Sequence, residues 1–176
     1  QSLHFVSAMS FIVAYALLTV NPAVSALIGW LISMCTRQAG HFFFEPRCYD
    51  KVNEVSDEYK ERIKVGYNIH RKIVLMGIWA ASPVLLYYKP DLFGIIEPYT
   101  TWQSYFHDLG ILWLTLGVVG LGFRVIHLFF ISGIQTGLVW GTKILTDPFH
   151  DLMLYHKAPI YLLKGQKLDP MAHVRS

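Results

Sequence analysis

The sequence predicts an all-α integral membrane protein, a bundle of about four transmembrane helices with one amphipathic helix at the membrane interface. Of the 176 residues, 53% are hydrophobic and 15% are charged, whereas soluble domains of this size have about 25% charged residues. Long apolar runs alternate with short polar or proline-containing segments. This length leaves room for a single membrane domain, 1–176. The basic residues do not form the dense strip that binds nucleic acid, so no nucleic-acid partner is expected.

The first two spans are predicted to form a helical hairpin. An apolar stretch begins near Phe5 and is interrupted by Asn21-Pro22, which is a turn signal. Apolar residues then continue to Phe44, and a membrane span needs about 20 residues. We therefore predict one helix over 2–20 and a second over 23–44. The alternative is a single tilted helix that is kinked at the proline.

The segment 45–70 is the most charged part of the chain and is predicted to be a cytosolic amphipathic helix. Ser56, followed by two acidic residues, is typical of a helix start. Aromatic and apolar residues then recur at helical spacing, which predicts a face directed at the membrane or the bundle. Those residues are Tyr59, Ile63, Gly66, Tyr67 and His70.

The third and fourth spans are predicted over 71–88 and over 109–131, and a continuation of the fourth to Ile144 is left open. The connecting loop is rich in aromatic residues, which are typical of a membrane interface. These are Tyr99, Trp102, Tyr105 and Phe106. Asp147-Pro148 predicts the end of the last helix, and a cytosolic tail is predicted over 145–176.

The distribution of basic residues predicts the orientation in the membrane. The segment 37–72 and the tail are rich in Lys and Arg, whereas the loop 89–108 contains only Lys89. The positive-inside rule places the first two in the cytosol, and the hairpin then places both termini there. Cys35 and Cys48 lie beside the first basic segment, so we expect reduced thiols rather than a disulfide.

This topology brings several histidines to one side of the membrane. A neutral imidazole binds metals and is poorly suited to a lipid-facing position. We therefore predict a metal site with ligands from His4, His41, His70, His150 and His156. The alternative is that each is an ordinary interfacial histidine, bonded to a headgroup or to a backbone carbonyl.

The sharpest local pattern is His41 followed four residues later by Glu45. On a helix this spacing puts both side chains on one face, one turn apart. Glu45 is therefore the candidate catalytic carboxylate, which either binds the metal or orients His41 through a hydrogen bond. The neighbours Asp151 and Tyr155 lie beside the two later histidines and add polar groups there.

Arg124 and His127 form a second pattern, three residues apart within an apolar span. An arginine in such a span usually faces the bundle or an anionic group. We therefore predict Arg71, Arg124 and His127 as substrate-binding residues, with Arg71 or Arg124 holding the carboxylate of a fatty chain. The alternative for Arg124 is a side chain that extends to the membrane surface.

One short segment resembles the signature of a family of small membrane proteins: it is 37–46, RQAGHFFFEP. The 2-hydroxy-fatty-acid dioxygenases of the yeast alpha-oxidation type carry a Gln, then Gly-His, then Phe-Glu with similar spacing at the end of a transmembrane helix. Leu3-His4 also resembles a family element, in which a histidine precedes the first span. The resemblance implies an Fe(II) enzyme that shortens a 2-hydroxy fatty acid by one carbon with dioxygen. The H-x-x-x-H and H-x-x-H-H boxes of membrane fatty-acid hydroxylases and desaturases are absent.

These observations lead to three hypotheses. The first is a membrane-embedded iron oxygenase that uses Fe(II) and acts on a fatty acid or lipid. The second is a non-catalytic subunit of a larger membrane complex, in which a glycine at every fourth position would admit a partner helix. Those glycines are Gly133, Gly137 and Gly141. The third is a haem-b carrier with His41 and His127 as axial ligands.

Overall fold

The computed structural model describes residues 1–44 and 69–168, with only the backbone of 69–72. Most of the described residues are helical and none lies in a strand, which confirms the all-α prediction. The helices are α1 Ser2–Leu17, α2 Pro22–Leu27, α3 Cys35–Ala39, α4 Ile69–Tyr88, α5 Trp102–Ser132, α6 Ile134–Tyr155 and α7 Ala158–Leu163. Two π-helical segments, π1 Ile28–Met34 and π2 Gly40–Phe44, flank α3. The amphipathic face predicted within 45–70 falls almost entirely outside the described residues.

The first two helical runs form a hairpin. The Asn21 side chain accepts a hydrogen bond from the Val24 N–H at the start of α2, and Pro22 occupies the first helical position, where its missing N–H is tolerated. The segments α2, π1, α3 and π2 then form one continuous run, 22–44. This run packs antiparallel to α1, as the Ser25 hydroxyl donates to the Ala14 carbonyl at 2.6 Å near the turn. The chain therefore reverses at Asn21-Pro22, as the hairpin interpretation predicts.

Three tryptophans from three helical segments form the centre of the core. Trp79 on α4 lies between Trp30 on π1 and Trp113 on α5, with ring centroids 5.7 and 5.2 Å apart. The Trp113 indole N–H donates to the Ser82 hydroxyl at 2.7 Å, and the Trp30 N–H donates to the Trp113 carbonyl at 3.1 Å. These two bonds connect α4 and π1 to α5, and each gives an indole N–H an acceptor.

The chain reverses direction after α5. Gly133 has a φ of +89°, a conformation that glycine adopts without strain. The helix α6 then folds back, so that Gly137 faces Phe129 and Gly141 faces Val125. A continuation of the fourth span to Ile144 is therefore wrong. The close backbone approach expected of the glycine pattern occurs, but within the chain.

The helix α6 also continues through Asp147-Pro148, so the predicted helix end there is wrong. Pro148 lies inside α6, which extends to Tyr155. Proline removes one backbone hydrogen bond, but α6 packs along α1 on both sides of it. The Tyr15 hydroxyl donates to the Leu145 carbonyl at 3.1 Å, and its ring packs on Phe149. Tertiary contacts thus stabilise a helix that the local sequence would end.

Among the described residues, α5 is the one helix that is long and apolar enough to cross a membrane. Ser2–Leu17 and Ile73–Tyr88 are apolar but shorter. Only 17% of the most apolar window of α5 is buried in the protein, unlike the core helix of a soluble protein. The exposed apolar surface of α5 supports an association with a membrane.

Candidate functional site

His4, His41 and Tyr155 meet at one end of the protein, and we call them the histidine cluster. The His4 and His41 rings lie 4.7 Å apart, centroid to centroid, at an interplanar angle of 71°. The Tyr155 ring stacks against His4 at 5.7 Å. The three residues belong to α1, π2 and α6. The fold thus assembles the cluster from three separate helical segments.

Gly40 packs against α1 beside the two histidines, where a small residue leaves room for the His4 ring. It is buried against α1, and a Cβ atom placed on it would lie 3.5 Å from His4 Nε2. The next residue, His41, begins the ring contact within a π-helical turn, a widened form of helix that is frequent at functional sites. Both histidines are half-buried, so the cluster is reachable from outside the protein.

A charged layer lies one helical turn from the cluster. The Arg37 guanidinium donates a 2.8 Å hydrogen bond to Asp151 and lies 3.4 Å from Asp147. Arg37 stands four residues before His41, and Asp151 stands four residues before Tyr155. Because residues four apart share a helix face, this layer connects the two sides of the cluster.

The Asp151 carboxylate is buried, with a residue exposure of 9%. Burial raises the pKa of this carboxyl above its usual value; the charge of Arg37 opposes that rise, and the charge of Asp147 adds to it. Burial therefore outweighs the ion pair in setting this pKa. Asp151 retains a proton more readily than an exposed aspartate does.

His150 and His156 do not join the cluster. His150 is exposed on a shallow outer face of α6 with Thr146 and Asp147, and His156 is exposed with its Nδ1 2.8 Å from the Met153 carbonyl. A helix turns about 100° per residue. Since Asp151 and Tyr155 face α1 and the second run, the adjacent histidines point away from them.

The metal site predicted from five histidines is thus only partly assembled in the part of the chain that the structure describes. His4 and His41 come together, and no group of three His, Cys, Asp or Glu residues there is arranged to hold a metal. Glu45 lies outside the described residues. The backbone of His70 and Arg71 lies in the first turn of α4, and their side chains are outside the description. The roles of these three residues stay predictions.

Arg124 and His127 are in direct contact. Arg124 Nη1 lies 2.7 Å from His127 Nδ1, and the Phe123 ring stacks on the imidazole. Arginine is always a donor, so His127 accepts this hydrogen bond through Nδ1.

This pair lies away from the histidine cluster. His127 is on α5 between Val125, which contacts Gly141, and Phe129. Tyr155 follows Gly141 on α6 by 14 residues, or about 20 Å at 1.5 Å per residue. His41 and His127 therefore lie at different levels of α6, which counts against a haem held between them.

Arg37 was not among the site residues predicted from the sequence, and Asp151 and Tyr155 were predicted only as polar neighbours of His150 and His156. The sequence pattern that could have identified Asp151 and Tyr155 is their four-residue spacing after Asp147, which puts all three on one helix face. That spacing carries meaning only if α6 continues through Pro148, and the local sequence predicts that it ends there.

Comparisons with protein-family models, curated proteins and solved structures give no match. The dioxygenase resemblance of the segment 37–46 therefore stays a prediction, and the function is argued from the chain's own residues.

Proposed function

We propose that the protein is a multi-pass membrane metalloprotein, an Fe(II)-dependent oxygenase acting on a fatty acid or lipid, with His4 and His41 as metal ligands. The observation that carries this proposal is the meeting of these two imidazoles from separate helical segments, with ring centroids 4.7 Å apart. Two histidines and one carboxylate form the ligand set of many non-haem iron oxygenases.

The proposed ligand set consists of two histidines and one carboxylate. His4 and His41 supply two nitrogen donors, and Glu45, one turn after His41 by sequence spacing, would supply a carboxylate. The bound metal would supply the coordination and activation of dioxygen. Tyr155 restrains the orientation of the His4 ring by stacking on it, and the ion pair between Arg37 and Asp151 holds α3 against α6.

Four crossings of a membrane are part of this proposal, as the apolar runs of the sequence predict. The contacts of α6 do not fit the predicted cytosolic tail over 145–176, because α6 packs along α1 from Tyr15 to His4. The second helical run, 22–44, reaches the length of about 20 residues that a span needs, whereas α1 and the apolar part of α4, Ile73–Tyr88, are shorter. Apolar side chains on α4 and α5 are exposed, as lipid-facing residues are. They include Ile73, Val74, Leu75, Val118, Val119, Phe123 and Phe130. With the orientation predicted from the basic residues, the histidine cluster faces the cytosol and both termini lie there.

Arg71 and Arg124 are the two candidates for binding the substrate carboxylate, and their positions favour Arg71. In the removal of one carbon from a 2-hydroxy fatty acid, the reacting carbon adjoins the carboxylate. Arg124 lies beside the first half of α6, about 20 Å along that helix from Tyr155, so its position does not support this role. Arg71, which adjoins His70, is the anchor we propose, and Arg124 with His127 would contact another part of the lipid.

The test is metal analysis of the purified full-length chain in detergent. The wild-type protein is expected to retain about one iron per chain, and His41→Ala is expected to lose most of it because one of few ligands is removed. His156→Ala is the matched control, since this histidine is exposed near the cluster and bonds a backbone carbonyl. A wild-type protein without metal, or equal loss in both variants, would contradict the proposal.

A second candidate is a non-catalytic subunit of a membrane complex. The exposure of Ile73, Val74 and Leu75 on α4, between 58% and 61%, favours it, because partner helices would cover such a surface as well as lipid would. This candidate predicts a metal-free protein that co-purifies with other membrane chains. A Soret absorption band in the purified protein would instead support the haem carrier.

A further inference from the structure

The chain after α6 crosses the end of the protein where the histidine cluster lies. The Gln1 side chain donates a 2.7 Å hydrogen bond to the Leu168 carbonyl. Ala158, at the start of α7, and Leu168 are both buried. The segment 157–168 is therefore held beside the N-terminal turn of α1, which carries His4.

The outer surface of this segment is both apolar and basic. Ile160, Leu162 and Leu163 are 54%, 66% and 89% exposed. Lys157, Lys164 and Lys167 are exposed as well, and the segment 157–168 contains no acidic residue. Exposed apolar side chains flanked by lysines are typical of helices that lie in a membrane interface.

Two aromatic side chains extend this surface. Phe43 and Phe44, at the end of the second helical run, are 80% and 73% exposed. They follow His41, which contacts His4, so they lie at the same end of the protein as the segment 157–168. Large apolar side chains in such a position gain free energy by entering the boundary between headgroups and acyl chains.

We propose that the segment 157–168 is a membrane-surface anchor that binds anionic phospholipid headgroups through Lys157, Lys164 and Lys167, with Ile160, Leu162 and Leu163 at the acyl boundary. Charge complementarity selects an anionic lipid, because all the charges of the segment are positive. A helix of six residues is marginal on its own, but the contacts with α1 already hold α7 in place. The anchor would fix the histidine cluster at headgroup depth.

The proposal depends on membrane insertion but not on a metal, so the test includes a separate reporter for insertion. In a Cys35→Ser, Cys48→Ser background, Leu163→Cys is labelled with an environment-sensitive fluorophore. The full chain is placed in nanodiscs of phosphatidylcholine, with and without phosphatidylglycerol, that contain a spin-labelled quenching lipid. Val118→Cys, 62% exposed on α5, reports insertion in the same discs.

The label at 163 is expected to be quenched in the anionic discs and much less in the neutral ones. In Lys157→Gln, Lys164→Gln, Lys167→Gln, association of the segment with the anionic surface should weaken about a hundredfold, since each lysine contributes about fivefold. High salt should have a similar effect. Suppose that the label at 118 is quenched in both kinds of disc. Equal quenching of the label at 163 in both, or no quenching in either, would then overturn the anchor but not membrane insertion. A label at 118 that stays unquenched would overturn the anchor and membrane insertion together.

Discussion

The Arg37 guanidinium donates a 2.8 Å hydrogen bond to the Asp151 carboxylate, although 114 positions separate the two residues. The side chains are 23% and 12% exposed, so water screens this ion pair only weakly. It joins α3 to α6 one turn away from His41 and Tyr155. The two sides of the histidine cluster are thus connected by charge as well as by ring contacts.

Arg37→Met is expected to lower the free energy of unfolding by about 3 kcal/mol, because it leaves a buried carboxylate without its cation. The double variant Arg37→Met, Asp151→Leu should recover part of that loss, since no unpaired charge remains at position 151. Thermal unfolding of the single and double variants in detergent measures both effects. A double variant whose loss equals the sum of the two single losses would show that the pair is not coupled.

Gly40 should tolerate alanine but not leucine. A Cβ at this position would make an ordinary 3.5 Å contact with His4 Nε2, whereas a longer side chain would displace the imidazole. We expect Gly40→Ala to retain iron, and Gly40→Leu to bind it about tenfold or more weakly, as when a residue that orients a ligand is lost. Gly77→Leu, a site with no neighbour within 4 Å, controls for the added bulk. If Gly40→Leu bound iron with unchanged affinity, His4 would not be a metal ligand.

The hairpin was predicted correctly because the residues that form its turn determine the backbone conformation there by themselves. Asn21 and Pro22 stop one helix and start the next through their own backbone chemistry, and this needs no distant partner. At Pro148 the local sequence predicts a helix end, and that prediction is wrong. There the outcome depends on Tyr15, which bonds Leu145 from another helix, and no local pattern reports that contact.

The error at Pro148 also explains which part of the site was missed. Bringing His4 to His41 requires only that two helices form an antiparallel hairpin, which the sequence predicts. To predict that Tyr155, and not His156, contacts His4, one must know which face of α6 is turned towards α1. Neighbouring positions on a helix differ by about 100°, so the face that meets His4 is set only when the helix continues unbroken from Gly133.

Gly110→Ala is expected to destabilise the protein, because a Cβ there would collide with the Ala23 backbone of α2. Backbone cannot move aside as a side chain can, so we expect a loss of about 1–3 kcal/mol in the free energy of unfolding. Gly120→Ala is the matched control on the same helix, with no atom within 4 Å of the new methyl group. It should be neutral or stabilising by up to about 1 kcal/mol, since alanine favours helix. Equal unfolding temperatures for the two variants would contradict the close contact between α2 and α5.

Gly137→Ala separates an internal role of the glycine pattern from an external one. A Cβ at Gly137 would lie 2.5 Å from the Phe129 ring and 2.7 Å from the Val125 carbonyl. The variant should therefore lose about 1–3 kcal/mol of stability even in the isolated chain. Gly122→Ala, with open space around it, should not. If the pattern instead receives a partner helix, Gly137→Ala would keep the unfolding temperature of the isolated chain and lose co-purifying membrane proteins. Because α5 already covers Gly137, we expect the loss of stability.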